Sequence, residues 1–114
     1  GLRYIWIHRY CIDQDNEIEK HHQIRKMGRI TSQAHFTTVA AAGSDCGYGL
    51  PGVSARDRTP QECLPIDQEV LMQFYDTSEK LSASTWASRG WTFQEDCLSR
   101  RRLIFTEQEV SFLC

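Results

Sequence analysis

One short segment carries the residues best suited to chemistry, namely two tryptophans, an arginine and a glutamate. Trp91 and Glu95 stand four positions apart, and Trp86 and Arg89 precede them. On an α-helix, residues at i, i+4 and i+7 share one face, so Trp91, Glu95 and Leu98 are predicted to lie together. Indole surroundings desolvate a carboxylate, which is costly and raises its pKa unless a partner or a ligand compensates. The segment is therefore a candidate site, and its aromatic surfaces suit a flat heterocycle or a sugar.

The Glu95 carboxylate also has a purely structural interpretation. Arg89 and Arg100 lie near it in sequence, and a salt bridge to either, or to another arginine, would compensate its charge. Arg100 begins the only basic cluster of the chain, which suits a solvated helix end. Both interpretations stay open at this point.

The elements that must position this segment predict an α/β fold. The apolar run 2–7 is typical of a strand covered on both faces. Asn16 is a good N-cap for an amphipathic helix over residues 17–34, and 36–42 is typical of a second buried strand. Strand, helix and strand with short joins predict a βαβ unit with parallel strands and a right-handed crossover.

Ligands of such sheets collect at the carboxyl ends of the strands. Here those ends are the stretches 8–13 and 42–45, which makes His8 and Asp13 candidate ligand-binding residues. Between them, Cys11 and Ile12 are predicted to be tucked inside a polar turn.

The remainder of the chain contains a long loop and several shorter elements. Residues 43–65 hold four of the seven glycines and all three prolines, which predicts an irregular excursion. Residues 69–76 favour a strand over a short helix. A helix is predicted from residue 87 or 88 to 99. The apolar runs 103–105 and 110–113 that follow it predict a β-hairpin or two neighbouring strands.

Composition limits the classes of function. A chain of 114 residues with net charge −2 predicts one domain, with neither nucleic acid nor an anionic membrane as its main partner. No apolar run approaches the roughly 18 residues of a membrane span, so we expect neither a membrane span nor a signal peptide in these residues. Because the sequence begins at Gly1 beside an apolar run, we expect it to be an excerpt of a longer protein.

Metal, redox and nucleotide motifs are missing from the sequence. The five cysteines form no C-x-x-C pair, which favours free thiols in a reducing compartment, and the four histidines lack metal-ligand spacing. Gly47-Tyr48-Gly49 is the only G-x-G and does not open a helix, so a dinucleotide fingerprint is rejected. Proximity of Cys11 to His8 is too little to support nucleophilic catalysis.

Three blocks of the sequence resemble the fungal heterokaryon-incompatibility (HET) domain, in family order over nearly the whole chain. They are Leu2–Ile7 continuing through Cys11–Asp15; Glu19, Gln23–Ile24, Met27–Gly28, Ile30, Ala34 and Thr38–Gly43; and Arg89–Glu95 continuing through Leu98–Arg100. The resemblance implies a cytoplasmic domain, here residues 1–114, within a larger incompatibility protein that recognises non-self and drives programmed cell death. Other domains of that protein, and other copies of this chain, are the implied partners, without nucleic acid or membrane.

The HET domain is similar in turn to the TIR fold, a flavodoxin-like sheet with flanking helices. TIR domains that cleave NAD carry Trp-Cys-x-x-Glu on a helix, and here Trp91 and Glu95 keep that separation with Thr92 replacing the cysteine. The resemblance implies that Glu95 is catalytic and that Trp91, Trp86, Arg89, His8 and Asp13 bind the ligand. NAD would be a substrate, with no cofactor and no metal.

This sequence departs from the HET pattern at three places. His8 stands where the family usually has Asp, and Thr31 where it usually has Tyr. The Leu-Ser-Tyr-x-Trp-Gly block expected before this segment is absent, so we expect the sheet to lack its N-terminal strand. Three alternatives therefore remain: an NAD-cleaving effector, a non-catalytic self-associating signalling module, and a degenerate remnant.

Overall fold

The chain combines helices and strands in a mixed α/β fold, as predicted. The computed structural model describes residues 1–114. In chain order its elements are α1 His8–Cys11, α2 Glu17–Gln33, β1 Thr37–Ala40, β2 Cys63–Ile66, β3 Glu69–Met72, α3 Thr77–Ser82, α4 Gly90–Leu98, β4 Arg102–Phe105 and β5 Val110–Leu113. No helix is both long enough and apolar enough to cross a membrane.

Helix α2 forms where the sequence predicts it. The Asn16 side chain caps it by accepting the backbone N–H of Glu19 at 3.1 Å, which satisfies one donor that the first turn leaves free. On the inner face Met27 is 1% exposed and Thr31 is buried. The predicted apolar stripe is therefore the face that packs on the rest of the fold.

The core sheet has the order β1-β4-β5. Strand β1 is parallel to β4, with Val39 opposite Ile104, and both of these side chains are fully buried. Strand β5 is antiparallel to β4, which confirms the predicted C-terminal hairpin. The core of the sheet therefore lies where β1 and β4 meet.

Helix α4 reaches its position through contacts with α2 and with the start of β1. A Cβ atom added at Gly28 of α2 would lie 3.3 Å from Cδ1 of Leu98, so the two helices approach closely there. Just after the helix, the Ser99 hydroxyl donates to Oγ1 of Thr37 at 2.7 Å. These contacts fix the helix that carries the candidate carboxylate.

The predicted strand over residues 2–7 is wrong. This segment pairs with nothing, and Tyr4 and Ile5 are 94% and 78% exposed. The sheet ends at β1, so no neighbouring strand and no second layer cover the segment, and strand propensity alone does not form a strand. The predicted βαβ unit is consequently wrong as well, because the parallel partner of β1 is β4.

The polar turn after this segment partly follows the prediction. Residues 8–11 form the single helical turn α1. Ile12 is buried as predicted, with 3% of its surface exposed, but Cys11 is exposed. A one-turn helix has no room to bury both side chains.

The long loop is irregular as predicted up to residue 62, and β2 begins at Cys63. Strand β3 confirms the first half of the strand predicted over residues 69–76, whereas residues 73–76 lie outside it. The sequence did not predict β2, because Pro65 argues against a strand. In the structure β2 is an edge strand, where a proline is tolerated.

Candidate functional site

The first turn of α4 is fastened to the turn before it. Thr92 is buried, and its hydroxyl donates to the backbone carbonyl oxygens of Trp86, at 2.7 Å, and of Arg89. Arg89 is the N-cap position and offers no side-chain cap of its own. The Thr92 hydroxyl therefore holds the Trp86 turn beside the helix.

Glu95 forms no salt bridge in this structure. Instead, Arg102 forms an ion pair with Asp96, the residue that follows Glu95 in α4. The only other ion pairs join Glu17 to Lys20 and His21 within α2. The structural salt bridge predicted as the alternative role of Glu95 is therefore not formed.

The environment of Glu95 favours the protonated acid. Burial raises the pKa of the Glu95 carboxyl, because low-polarity surroundings penalise its charged form. Three groups oppose this rise: the hydrogen-bonding indole of Trp86, the Arg89 guanidinium and the His8 imidazole. The pKa of Glu95 still lies above its usual value, so the effect of desolvation is larger than the opposing effect of these three groups.

His8 joins the N-terminal segment to this helix. Its ring centroid lies 6.3 Å from that of Trp91, tilted by 31°, and 6.2 Å from that of Trp6, edge to face at 84°. His8 is half-buried between the two indoles. The structure therefore brings together two segments that lie far apart in the sequence, residues 6–8 and α4.

Five of the six predicted site residues meet in this cluster. They are Glu95, Trp91, Trp86, Arg89 and His8. The face of α4 that carries Trp91 and Glu95 is partly exposed, since Trp91 is 44% and Leu98 41% exposed. A ligand therefore has access to this face.

Asp13, the sixth predicted residue, has a different role. It is exposed, and its Oδ1 accepts the backbone N–H of Asp15 at 3.0 Å, which shapes the turn before α2. It is not among the groups that act on Glu95.

Trp6 is the cluster residue that sequence reasoning missed. We assigned it to a buried strand, where its indole would have been covered by the sheet. The signal was its position two residues before His8, because side chains at i and i+2 of an extended segment point to the same side.

Two surface concavities lie away from this cluster. One is lined by residues of the long loop, including Tyr48 and Arg56, and the other by both strands of the β2–β3 hairpin. In the first, the Tyr48 hydroxyl donates to the Glu107 carboxylate at 2.8 Å, and the Arg56 guanidinium carbon lies 3.9 Å from the Tyr48 ring centroid. These contacts anchor the loop to the β4–β5 turn.

Comparison with known proteins gives one match. The family model described as "Heterokaryon incompatibility protein (HET)" matches residues 1–95, a stretch that ends at Glu95 and contains every candidate site residue. Neither a curated protein nor a solved structure matches the chain.

Proposed function

We propose that this chain, which belongs to the heterokaryon incompatibility (HET) family, drives programmed cell death after fungal non-self recognition by cleaving NAD. The family supports a role in heterokaryon incompatibility. One observation supports the enzymatic part, namely a half-buried carboxylate without an ion pair, in the second half of α4 and close to indole side chains.

The chemistry proposed for Glu95 resembles glycoside cleavage. The bond between nicotinamide and ribose breaks, its electron pair leaves with neutral nicotinamide, and the ribose develops oxocarbenium character. Water then adds to the ribose and releases a proton, giving ADP-ribose. The Glu95 carboxylate stabilises the positive charge or holds the ribose hydroxyls, and it is effective because little water competes for it.

The neighbours of Glu95 bind and orient the substrate in this proposal. Trp91 and Trp86 offer indole faces for the flat ring of nicotinamide, and Arg89 offers a cation for the phosphates. Thr92 stands where NAD-cleaving TIR domains have cysteine, and it holds the Trp86 turn. A TIR-like sheet is the proposed architecture and the cytoplasm the proposed compartment, which suits the five free thiols.

Nicotinamide release tests the enzymatic proposal. Chromatography follows nicotinamide after incubation of the protein with NAD, for the wild type and for Glu95→Gln. We expect the variant to be slower by about 100-fold or more, since it removes charge stabilisation at the reacting ribose. Glu62→Gln, which removes an exposed carboxylate of the hairpin, is the matched control and keeps the wild-type rate.

Each result decides between explicit alternatives. Release that is unchanged in a folded Glu95→Gln variant rejects Glu95 as the catalytic group. A wild type that releases no nicotinamide rejects the enzymatic proposal itself.

A non-catalytic signalling module is the second candidate function. It is favoured by His8, which stands where the family usually has an aspartate and leaves the cluster with one carboxylate. Cell killing by Glu95→Gln at the wild-type level, in a fungal expression assay, would support this module. Loss of killing together with loss of nicotinamide release would support the enzyme.

A further inference from the structure

The β2–β3 hairpin exposes apolar and acidic side chains to solvent. All eight residues of its two strands are exposed, among them Leu64, Val70 and Leu71 at 68%, 61% and 56%. Over residues 61–76 the sequence holds four acidic residues and no basic ones. A two-stranded hairpin with apolar side chains on both faces is marginal in water, so a partner would stabilise it.

Only one edge of this hairpin can accept another strand fully. The Gln73 N–H donates to the Glu62 carbonyl oxygen at 3.1 Å. Because hydrogen-bonded and open pairs alternate along an antiparallel ladder, the Pro65–Val70 pair is an open one, and the N–H and C=O of Val70 point outward from β3. Pro65 has no N–H, so the outer edge of β2 lacks that donor. The edge of β3 is therefore the available one.

The N-terminal arm, residues 2–7, has the complementary properties. It is extended, rich in β-branched and aromatic residues, and paired with no strand. Residues 1–12 include Arg3 and Arg9 but no acidic residue. The arm thus offers a basic, strand-prone segment, and the hairpin offers an acidic strand edge.

We infer that the chain self-associates by adding the arm of one copy to the β3 edge of a second copy. A parallel register places Arg3 opposite Glu69, Tyr4 opposite Val70 and Ile5 opposite Leu71. Arg3 then lies beside the oppositely charged Glu69. Apolar side chains of the arm lie beside apolar side chains of β3 on both faces of the extended sheet. This inference does not rest on NAD cleavage.

The contact joins two different surfaces, so it does not close on itself as a two-fold dimer does. An open assembly keeps a free arm at one end and a free hairpin at the other, so it continues to grow head to tail unless a ring closes. The interface is small and partly electrostatic. Association is therefore weak, rises with protein concentration and weakens with salt.

Sedimentation of single charge variants and of their mixture tests this contact. Arg3→Glu and Glu69→Lys each place like charges opposite one another, and we expect each to weaken association about fivefold. In an equimolar mixture of the two variants every contact between unlike copies pairs opposite charges, so association returns to about the wild-type level. A contact between two arms would not respond to Glu69→Lys alone, and a contact between two hairpins would not respond to Arg3→Glu alone, so weakening by both single variants is specific to the contact between arm and hairpin.

A second variant tests the strand edge itself. Val70→Pro removes the outward N–H, and the hairpin already tolerates a proline at the opposite position, Pro65. We expect it to abolish association at any salt concentration, while Arg101→Glu, an exposed charge reversal outside both surfaces, leaves association unchanged. A wild type that stays monomeric at all concentrations, or variants that do not complement on mixing, would overturn the inference.

Discussion

The hydroxyl of Thr92 donates a hydrogen bond to the backbone carbonyl oxygen of Trp86 at 2.7 Å. Thr92 lies six positions after Trp86, and the bond spans the turn that leads into α4. Since Thr92 is buried, water does not replace this bond when it is lost. The position of the Trp86 indole next to Glu95 therefore depends on a side chain that itself has no chemistry to perform.

Removing the hydroxyl of Thr92 should loosen this turn. We expect Thr92→Val to lower the free energy of unfolding by about 1–3 kcal/mol, since the buried turn loses the bond from the Thr92 hydroxyl to the Trp86 carbonyl oxygen. Urea denaturation measures the change. Thr92→Ser keeps the donor and should lose much less, and Thr85→Val, on an exposed side chain of the same turn, is the control. Equal losses for Thr92→Val and Thr92→Ser would show that the methyl group matters rather than the bond.

The close approach of α2 and α4 makes a second prediction. Gly28 lies inside α2, where alanine is favoured by about 1 kcal/mol. The new methyl group would lie 3.3 Å from Cδ1 of Leu98, a side chain that is 41% exposed and free to move. We expect Gly28→Ala to raise the melting temperature slightly.

A larger side chain at Gly28 is the matched comparison. Gly28→Leu cannot fit by a small shift of Leu98, and overpacking of this kind costs about 1–3 kcal/mol. A loss of melting temperature already in Gly28→Ala would mean that Leu98 is held rigidly against α2.

The sequence predicted the elements whose signals are local. Asn16 and the stripe containing Met27 and Thr31 predicted α2, and helical spacing placed Trp91 and Glu95 on one helix. Local signals failed where a neighbour decides the outcome. The apolar run 2–7 has the composition of a strand, but a strand exists only through hydrogen bonds to a partner, and the sheet offers none there.

The candidate site was predictable to the same extent. Residues of one segment, Trp86 to Glu95, were found from their spacing. The approach of His8 to Trp91 is a tertiary contact that only the folded chain reveals. Asp13 lies outside the cluster because the chain there forms a turn and does not end a strand of the sheet.

Gly43 makes a third prediction, because its backbone has a left-handed conformation. Its φ is +75°, and a Cβ atom would lie 2.1 Å from Cγ of Tyr48, which packs against it. Both the strain and the clash oppose any side chain. We expect Gly43→Ala to lower the free energy of unfolding by about 1–3 kcal/mol or more in thermal or urea unfolding.

Gly90 is the control for that substitution. It has no positive φ, and a Cβ atom added there meets nothing within 4 Å. Gly90→Ala, at the first position of α4, should leave stability unchanged or raise it. A similar loss in both variants would indicate that the effect comes from alanine in general, and not from the packing of Tyr48.

The raised pKa of Glu95 predicts a pH dependence of stability. The pKa of this carboxyl is higher in the folded chain than its usual value of 4.5, so the folded state holds the proton more tightly than the unfolded state. Stability linked to this group is therefore fully present below pH 4.5 and is lost as the pH rises through the folded-state value.

Glu95→Gln isolates this contribution, because glutamine keeps the shape and cannot ionise. We expect the variant to be more stable than the wild type at pH 7, and the difference to shrink as the pH falls towards 4.5. Urea unfolding at several pH values between 4 and 8 measures it, with Glu62→Gln reporting the loss of one exposed charge. A variant less stable than the wild type at pH 7 would mean that the ionised carboxylate is stabilised by its neighbours Trp86 and Arg89, and that desolvation does not dominate at Glu95.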